Sequence, residues 1–415
     1  MARRESTPTT PGSRAVVVDL IRSSGPISRV ELTTATGLTQ PAISQIVRKL
    51  VLDGIVRETG LKASTGGKPR VLLEINPRAL YAIGMQLGFE SITLVATDVT
   101  GGVIGRAQID GAGLDEPEAV TQRIIYSYYR FVRALGLDMQ TIAGVAVVAP
   151  GPIDLHQGFV FGPPMLPSWV DFGLRSLLQA EIDVPVIVDN DAAAAAVGEF
   201  WSRRVSRSTT FASIYMGSGI GAGIVIDGAL YRGAGSNAGE IGHISIERNG
   251  EPCFCGNSGC LERYASPSAA LETAKRSHLD FSELGLAFEA TSVMRDFDLL
   301  CRAAVLDFKP ARAIVETSAE HLASAAVTLS NLLDLDHIVL TGPAMAFAGS
   351  IYARAMRHRL RKSAFSRRAH QISVELSTNP RDSAAIGASA LILQGSVAPG
   401  HGPLLRPTSI QSHVS

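Results

Sequence analysis

The stretch GHISIERNGEPCFCGNSGCLE, residues 242–262, gathers three of the chain's four cysteines between positions 253 and 260. One imidazole, His243, and three thiols, Cys253, Cys255 and Cys260, are the donor types of a tetrahedral Zn²⁺ site. Gly256 and Gly259 let the loop between Cys255 and Cys260 fold tightly round an ion. Four protein ligands leave no open position for a water, so the metal expected is structural zinc. Three buried thiols with no ion are the plainer alternative; the neighbouring histidine weighs against it. Cys301 stands alone among apolar residues and reads as core.

On either side of this stretch, strand and helix patterns alternate. Before it come a hairpin pair at 82–87 and 92–98, a return strand near 103–109, a helix at about 116–135, a strand at 143–148, a helix near 172–181 and a strand at 184–188. A second α/β round starts at Thr210. It has strands at 211–216 and 221–226, helices near 266–276 and 311–335, a strand at 337–340 and a closing helix at 381–394. Two α/β rounds in succession predict two lobes with a cleft between them.

Two further stretches of this body carry polar or glycine signals. Val186-Ile-Val-Asp-Asn190-Asp191 is a buried strand ending in polar residues before a run of alanines. Strand ends are where α/β proteins bind ligands. Asn190 and Asp191 are suited to hydrogen-bonding hydroxyl groups, and Asp191 to general-base work; a helix-capping Asp would look the same. Met216-Gly-Ser-Gly-Ile-Gly-Ala-Gly223 has alternate glycines that would let a tight turn offer backbone N–H groups to a phosphate. A plain β-turn explains it as well.

The first 78 residues read differently. A helix over 13–23 ends at Gly25-Pro26. Ser28 and Glu31 form a capping box for a second helix that stops at Gly37, and Thr39 caps a third with Pro41 in its first turn. On that third helix Ile43, Ile46, Val47 and Leu50 share one face. Gln40, Ser44, Gln45 and Arg48 share the other, with Lys49 beside them. Strands at 55–58 and 70–75 flank a basic tip carrying Lys62 and Lys68, with Arg70 at its base. This is a winged helix-turn-helix pattern, with the third helix suited to the major groove and the wing to the phosphate backbone. A solvated helical packing domain is the bland alternative.

Lys plus Arg equals Asp plus Glu at 38 each, which excludes a uniformly basic nucleic-acid binder. Residues 1–75 nevertheless hold eleven basic and six acidic side chains, leaving the remainder acidic on balance. That asymmetry fits a nucleic-acid-binding module joined to an acidic body. With 46 % hydrophobic residues the chain has a real core, yet no apolar run approaches the ~18–20 residues of a membrane helix. A cytoplasmic protein is expected, with a frayed start over 1–12 and a disordered tail over 397–415.

The zinc stretch, Glu240-Ile-Gly-His243 and the glycine run together resemble the ROK family of repressors, open-reading-frame proteins and sugar kinases, over about residues 80–395. The winged helix ahead of them is similar to the family's transcriptional repressors, which sense sugars such as xylose, glucose or N-acetylglucosamine. The resemblance implies an α/β chain whose winged helix-turn-helix (1–78) precedes a two-lobed actin-like, hexokinase-type (ribonuclease H-like) body. Residues 79–198 with 381–396 would form the first lobe and 199–380 the second. It implies a sugar-binding set of Asn190, Asp191, Glu240, His243 and Glu262, with Asp191 at the kinases' catalytic-base position. A double-stranded DNA operator, a monosaccharide or derivative as effector and a homodimer or dimer of dimers are the expected associations, with a protein partner in place of the sugar as the alternative effector.

Departures from the kinase pattern decide the activity expected. Where family kinases read Asp-x-Gly-Gly-Thr, this chain reads Gln86-Leu87-Gly88-Phe89-Glu90. A neutral Gln replaces a metal-holding Asp, Phe89 replaces a Gly, and Glu90 sets a negative charge where phosphates would lie. Like charges ~4 Å apart repel by on the order of 1–4 kcal/mol. Thr341-Gly-Pro-Ala-Met345 also lacks part of the usual Gly pair. No enzyme is expected, with Asp191 a vestigial base; an active ATP-dependent sugar kinase carrying a DNA-binding domain is the rival, and a zinc-stabilised scaffold a third. Pro164-Met-Leu-Pro167 and Ala193, where relatives carry Asn, bear on which sugar fits.

Overall fold

The computed structural model describes residues 12–62, 70–155, 159–160, 167–203, 210–277 and 279–397. The expected frayed start through residue 11, Lys68, Pro164 to Leu166 and the tail from residue 398 lie outside them. Val397, read as the first tail residue, is the buried last residue of a helix. The chain divides into two compact units, one of residues up to Ala79 with those from Leu393 onward, the other Leu80–Ile392.

In the N-terminal unit the order is α1 (Ser13–Ser24), β1 (Ile27–Ser28), α2 (Arg29–Thr36), α3 (Gln40–Leu52), β2 (Val56–Lys62) and β3 (Arg70–Ile75). The capping box forms: Ser28 Oγ accepts the Glu31 N–H at 3.3 Å, and Glu31 Oε2 accepts the Ser28 N–H at 2.9 Å. Gly37 ends α2 at φ 69°, where a side chain would be strained. Thr39 sits at the N-cap of α3, but its hydroxyl makes no capping bond, so Pro41 in the first turn is the local start signal. Ile43, Val47 and Leu50 bury one face of α3, which packs on α1 and α2, where Val17, Val18, Ile21 and Leu32 are likewise all but inaccessible. Strands β2 and β3 form the hairpin, and β1 pairs with β3 to complete a three-stranded sheet. Three helices followed by this hairpin give the element order that the winged helix-turn-helix reading predicts.

The body holds one topology twice. Its first sheet contains β4 (Tyr81–Leu87), β5 (Ser91–Asp98), β6 (Val103–Asp110), β7 (Ile142–Ala149) and, after the small pair β8 (Ile153–Asp154) and β9 (Phe159–Val160), β10 (Val186–Asn190). Its order is β10-β7-β4-β5-β6, with β4, β5 and β6 antiparallel and β4, β7 and β10 parallel. The helices α4 (Pro117–Ala134) and α5 (Leu174–Glu181) cover it, burying Ile124, Tyr128, Leu174 and Leu178. Then α6 (Asp191–Arg203) leads to the second sheet: β11 (Phe211–Met216), β12 (Ile220–Ile226), β13 (Ala229–Leu230) and, further on, β14 (His337–Thr341) and β15 (Ser373–Leu376). Its order, β13-β12-β11-β14-β15, repeats the first, including the switch from antiparallel to parallel. The helices α7 (Glu262–Ala265), α8 (Pro267–Arg276), α9 (Val293–Val305), α10 (Lys309–Leu333) and α11 (Met345–Ser363) pack on it, and α12 (Ser383–Val397) closes the chain. The sequence reading passes over α9, α11 and β15.

Helices α6 and α12 cross between the sheets at glycines. A Cβ on Gly198 would lie 2.9 Å from the Gly387 Cα, and one on Gly387 only 1.9 Å from the Ala194 carbonyl oxygen. Gly84 on β4 makes the same allowance for α12. Small residues here set two helices and a sheet within backbone contact.

Candidate functional site

Strand β10 runs apolar to its last residues, because both its faces are covered. At its end the Asn190 Oδ1 accepts the Ala193 N–H at 2.9 Å, the bond of a helix cap. Capping therefore falls to Asn190, leaving Asp191 for the cleft. Asp191 is buried, its Oδ1 accepting the Ala192 N–H at 2.8 Å. Burial pushes its carboxyl up to about 7, and the Glu240 carboxylate adds to the shift. Asp189, two residues earlier on β10, is paired through both oxygens with Arg232, at 2.9 and 2.5 Å. Sequence reading missed Arg232; it anchors the segment that carries Glu240.

The β11–β12 turn faces this helix start. Two of the alternate glycines are required by packing alone. A Cβ on Gly223 would lie 2.3 Å from the Ala196 Cβ, and one on Gly221 2.8 Å from the Ala192 Cβ. They let β12 lie directly on α6. Gly219 leaves room for Glu262, whose Oε2 accepts the Ile220 N–H at 2.9 Å. Gly151 clears Asn190 and Glu240, since a Cβ there would sit 2.8 Å from Asn190 Nδ2 and 3.0 Å from Glu240 Oε1. Asn190, Asp191, Glu240, His243 and Glu262 line one cavity of about 230 Å³ between the lobes, with Phe254, Ile220 and Tyr215. Burial raises the Glu240 and Glu262 carboxyls, while His243 lowers both. A pocket with three acids and one amide is built to hold hydroxyls rather than an apolar molecule.

Directly behind His243 lie the cysteines. His243 Nδ1 is 3.5 Å from Cys253 Sγ, Cys255 Sγ is 3.7 Å from Cys260 Sγ, and all four donor atoms fall within 4.8 Å of one another. Zn–S and Zn–N bonds of about 2.3 and 2.0 Å require such separations. The cluster is therefore able to hold a metal ion. Its loop folds through the Ile246 N–H to the Gly259 carbonyl and the Cys253 N–H to the Asn257 carbonyl. Gly259, at φ 71°, passes so close to the Glu247 carbonyl that no side chain fits. The Asn257 N–H holds the exposed Cys255 thiol below its usual value. Cys301 is buried away in the α9–α10 core.

A second cavity, of about 350 Å³, adjoins the first and shares Asp191, Tyr215 and Phe89 with it. Here lie Gln86, Phe89 and Glu90. The Gln86 amide bonds to the Tyr215 hydroxyl across the lobes. Glu90 Oε1 accepts the Met294 N–H at 2.7 Å.

In the N-terminal unit, Gln40, Gln45, Arg48 and Lys49 are exposed on α3 and Ser44 is half-buried. Arg70 is exposed at the base of the hairpin. Lys68 and the side chain of Lys62 fall outside the described residues. Arg29 pairs with Glu58 and Arg57 with Glu74 on the surface of this unit.

Tandem sheets with a polar interlobe cleft define a two-lobed protein of the actin-like, hexokinase-type architecture. Residues 82–395 match the model of the ROK family, and the chain belongs to that family. It is 36 % identical over 255 residues to the xylose repressor of Bacillus spizizenii, covering 61 % of this chain and 65 % of that one. A solved ROK family transcriptional regulator, a homologue of the Escherichia coli MLC protein, superposes with a TM-score of 0.72 at 26 % identity, over 94 % of this chain and 96 % of its own. A ROK glucokinase from Streptomyces griseus, in complex with glucose and AMPPNP, superposes with a TM-score of 0.66 at 25 % identity, over 76 % and 100 %. Among the described residues no helix is long and apolar enough to cross a membrane.

Proposed function

We propose that the chain is a sugar-responsive transcriptional repressor that binds a double-stranded operator through its N-terminal unit and no longer transfers phosphate. One observation carries this: a third helix with Gln40, Gln45, Arg48 and Lys49 exposed precedes, on one chain, a cleft that keeps five hydroxyl-binding residues. Gln40, Ser44 and Gln45 suit base edges; Arg48, Lys49, Lys68 and Arg70 suit phosphates. Asn190, Asp191, Glu240, His243 and Glu262 hold a monosaccharide. Zn²⁺ on His243, Cys253, Cys255 and Cys260 orients His243 toward it, a structural role. A homodimer sets two recognition helices on a pseudo-palindromic site. The sugar shifts DNA affinity only as far as it binds the two states unequally.

The similarity to the repressors supports this reading. The loop Gln86-Leu87-Gly88-Phe89-Glu90 supports the loss of activity, since it lacks the metal-holding Asp and the glycine of the kinases. A kinase reading draws on Asp191, whose carboxyl titrates near neutrality as a general base should, and on the glucokinase likeness.

The test is a DNA-binding titration with fragments flanking the chain's own gene, a monosaccharide panel and one fixed salt concentration. Specific binding that one sugar alters by tenfold or more is the expected outcome. Sugar- and ATP-dependent turnover that disappears in Asp191→Asn, without specific DNA binding, would replace this reading with the kinase one.

A further inference from the structure

The β4–β5 turn is held rigidly on its own lobe. The Ala112 N–H donates to the Gly88 carbonyl and the Gly113 N–H to that of Phe89, each at 2.9 Å; the Gly111 N–H reaches that of Glu90 at 3.2 Å. Gly111 lies so close that a Cβ there would sit 2.1 Å from the Phe89 carbonyl oxygen. Phe89 packs against the first-lobe core. From this fixed backbone the Glu90 side chain crosses to the second lobe.

There it meets the first turn of α9. A helix start has four N–H groups without partners inside the helix, and these favour an anion. The N-cap residue of α9, Ser292, supplies no capping bond. Its hydroxyl is turned to Asp296 Oδ2 at 2.9 Å instead. Glu90 Oε1 takes the Met294 N–H at 2.7 Å in its place. Beside it, Gln86 bonds to Tyr215 and makes a second link between the lobes. Both residues belong to the loop whose counterpart in the kinases cradles phosphates.

We propose that the Glu90 carboxylate is a tethered anion: it occupies the start of α9 in place of a free anion, and ties the lobes together without one. On the sugar-binding reading above, the cleft then closes on an uncharged monosaccharide alone. Nucleotides and phosphorylated sugars are turned away from the adjoining cavity.

The experiment is amide hydrogen exchange on the full-length protein, free of sugar and DNA, for wild type, Glu90→Ala and Glu90→Gln, with and without inorganic phosphate. The readout is the segment spanning Met294 and Arg295. Expected is protection in wild type that phosphate does not change. In Glu90→Ala exchange at this turn should be about tenfold faster or more, with the interior of α9 unchanged, and phosphate should restore protection. Glu90→Gln, which keeps an acceptor oxygen but no charge, should fall between. Equal exchange in wild type and Glu90→Ala would overturn the proposal. Faster exchange that phosphate does not slow would overturn the anion role. A thermal-shift series with sugars on the same samples separates the two readings. No shift in any variant, beside intact protection of α9, would sink the sugar site and leave the latch standing.

Discussion

Asp191 lies where β10 gives way to α6, with no cation among its hydrogen-bond partners. Burial first, then the Glu240 charge, carries its carboxyl from the ordinary range up to about 7. The folded state thus prefers the protonated form, while the unfolded chain gives up that proton near 4. Folding stability from this group is greatest in acid and is lost as pH rises through that interval to about 7. Ionising it in place costs on the order of a few kcal/mol. Asn retains an oxygen for the Ala192 N–H and carries no charge. Asp191→Asn should therefore melt close to wild type at pH 4.5 and several degrees higher at pH 8. Melting curves across that range check it, and a difference independent of pH would refute the buried-acid account. The same substitution should weaken sugar binding, because a carboxyl that accepts or donates according to its proton is replaced by a fixed amide.

The metal loop is an element with little apolar burial of its own. Cys255 and Phe254 are exposed, and only Cys253 and Cys260 turn inward. Its hydrogen bonds are mostly backbone ones within the loop. Metal binding then contributes folding free energy directly. Wild type should carry one zinc per chain by elemental analysis. Cys255→Ser, or prolonged chelation, should remove it, lower the melting temperature by several degrees and weaken sugar binding through His243. Metal-free protein purified with full stability and sugar affinity would show that the cluster is only a set of thiols. This element was legible in the sequence because its ligands are close neighbours in the chain, as were the capping box at Ser28 and Glu31 and the strand end at Asn190. Other parts needed the partner that the fold brings. The reason for Gly221 and Gly223 is α6, about thirty residues earlier. Arg232 matters only once Asp189 is beside it. Helix α9 has Phe297, Leu300, Cys301 and Ala304 on one face, but Arg295, Asp296, Asp298 and Arg302 break its apolar run. Asp296 is itself fully buried, taking the Ala287 and Phe288 N–H groups and the Ser292 hydroxyl, a role that charge patterning hides. Strand β15 buries only Val374 and so shows no period.

At the scale of the molecule, the two compact units divide two kinds of chemistry between them, and that division is separable by mutation. On the proposed function, the exposed cations of α3 would act on phosphate by charge alone, whereas the cleft would act on hydroxyls through buried, directed hydrogen bonds. Lys49→Ala should weaken binding to all DNA about equally and reduce the salt dependence by roughly one phosphate contact. Gln45→Ala should cost on the order of 1–3 kcal/mol on the preferred operator and much less on unrelated sequence. Both should leave the thermal shift given by the sugar unchanged. Asn190→Ala removes an amide that caps α6 and lines the cavity, so it should abolish that shift while basal operator binding survives. It should bind DNA with wild-type salt dependence and fail to respond to sugar. The pairing of outcomes is what tests the assignment. If Asn190→Ala loses operator binding as completely as Lys49→Ala and Gln45→Ala combined, an intact cleft is required for DNA binding itself. If the sugar response persists in Asn190→Ala, the effector binds outside the cleft. Wild-type DNA affinity in both α3 variants would move the nucleic-acid contact off the third helix and onto the hairpin, where Arg70 is the described residue to substitute next.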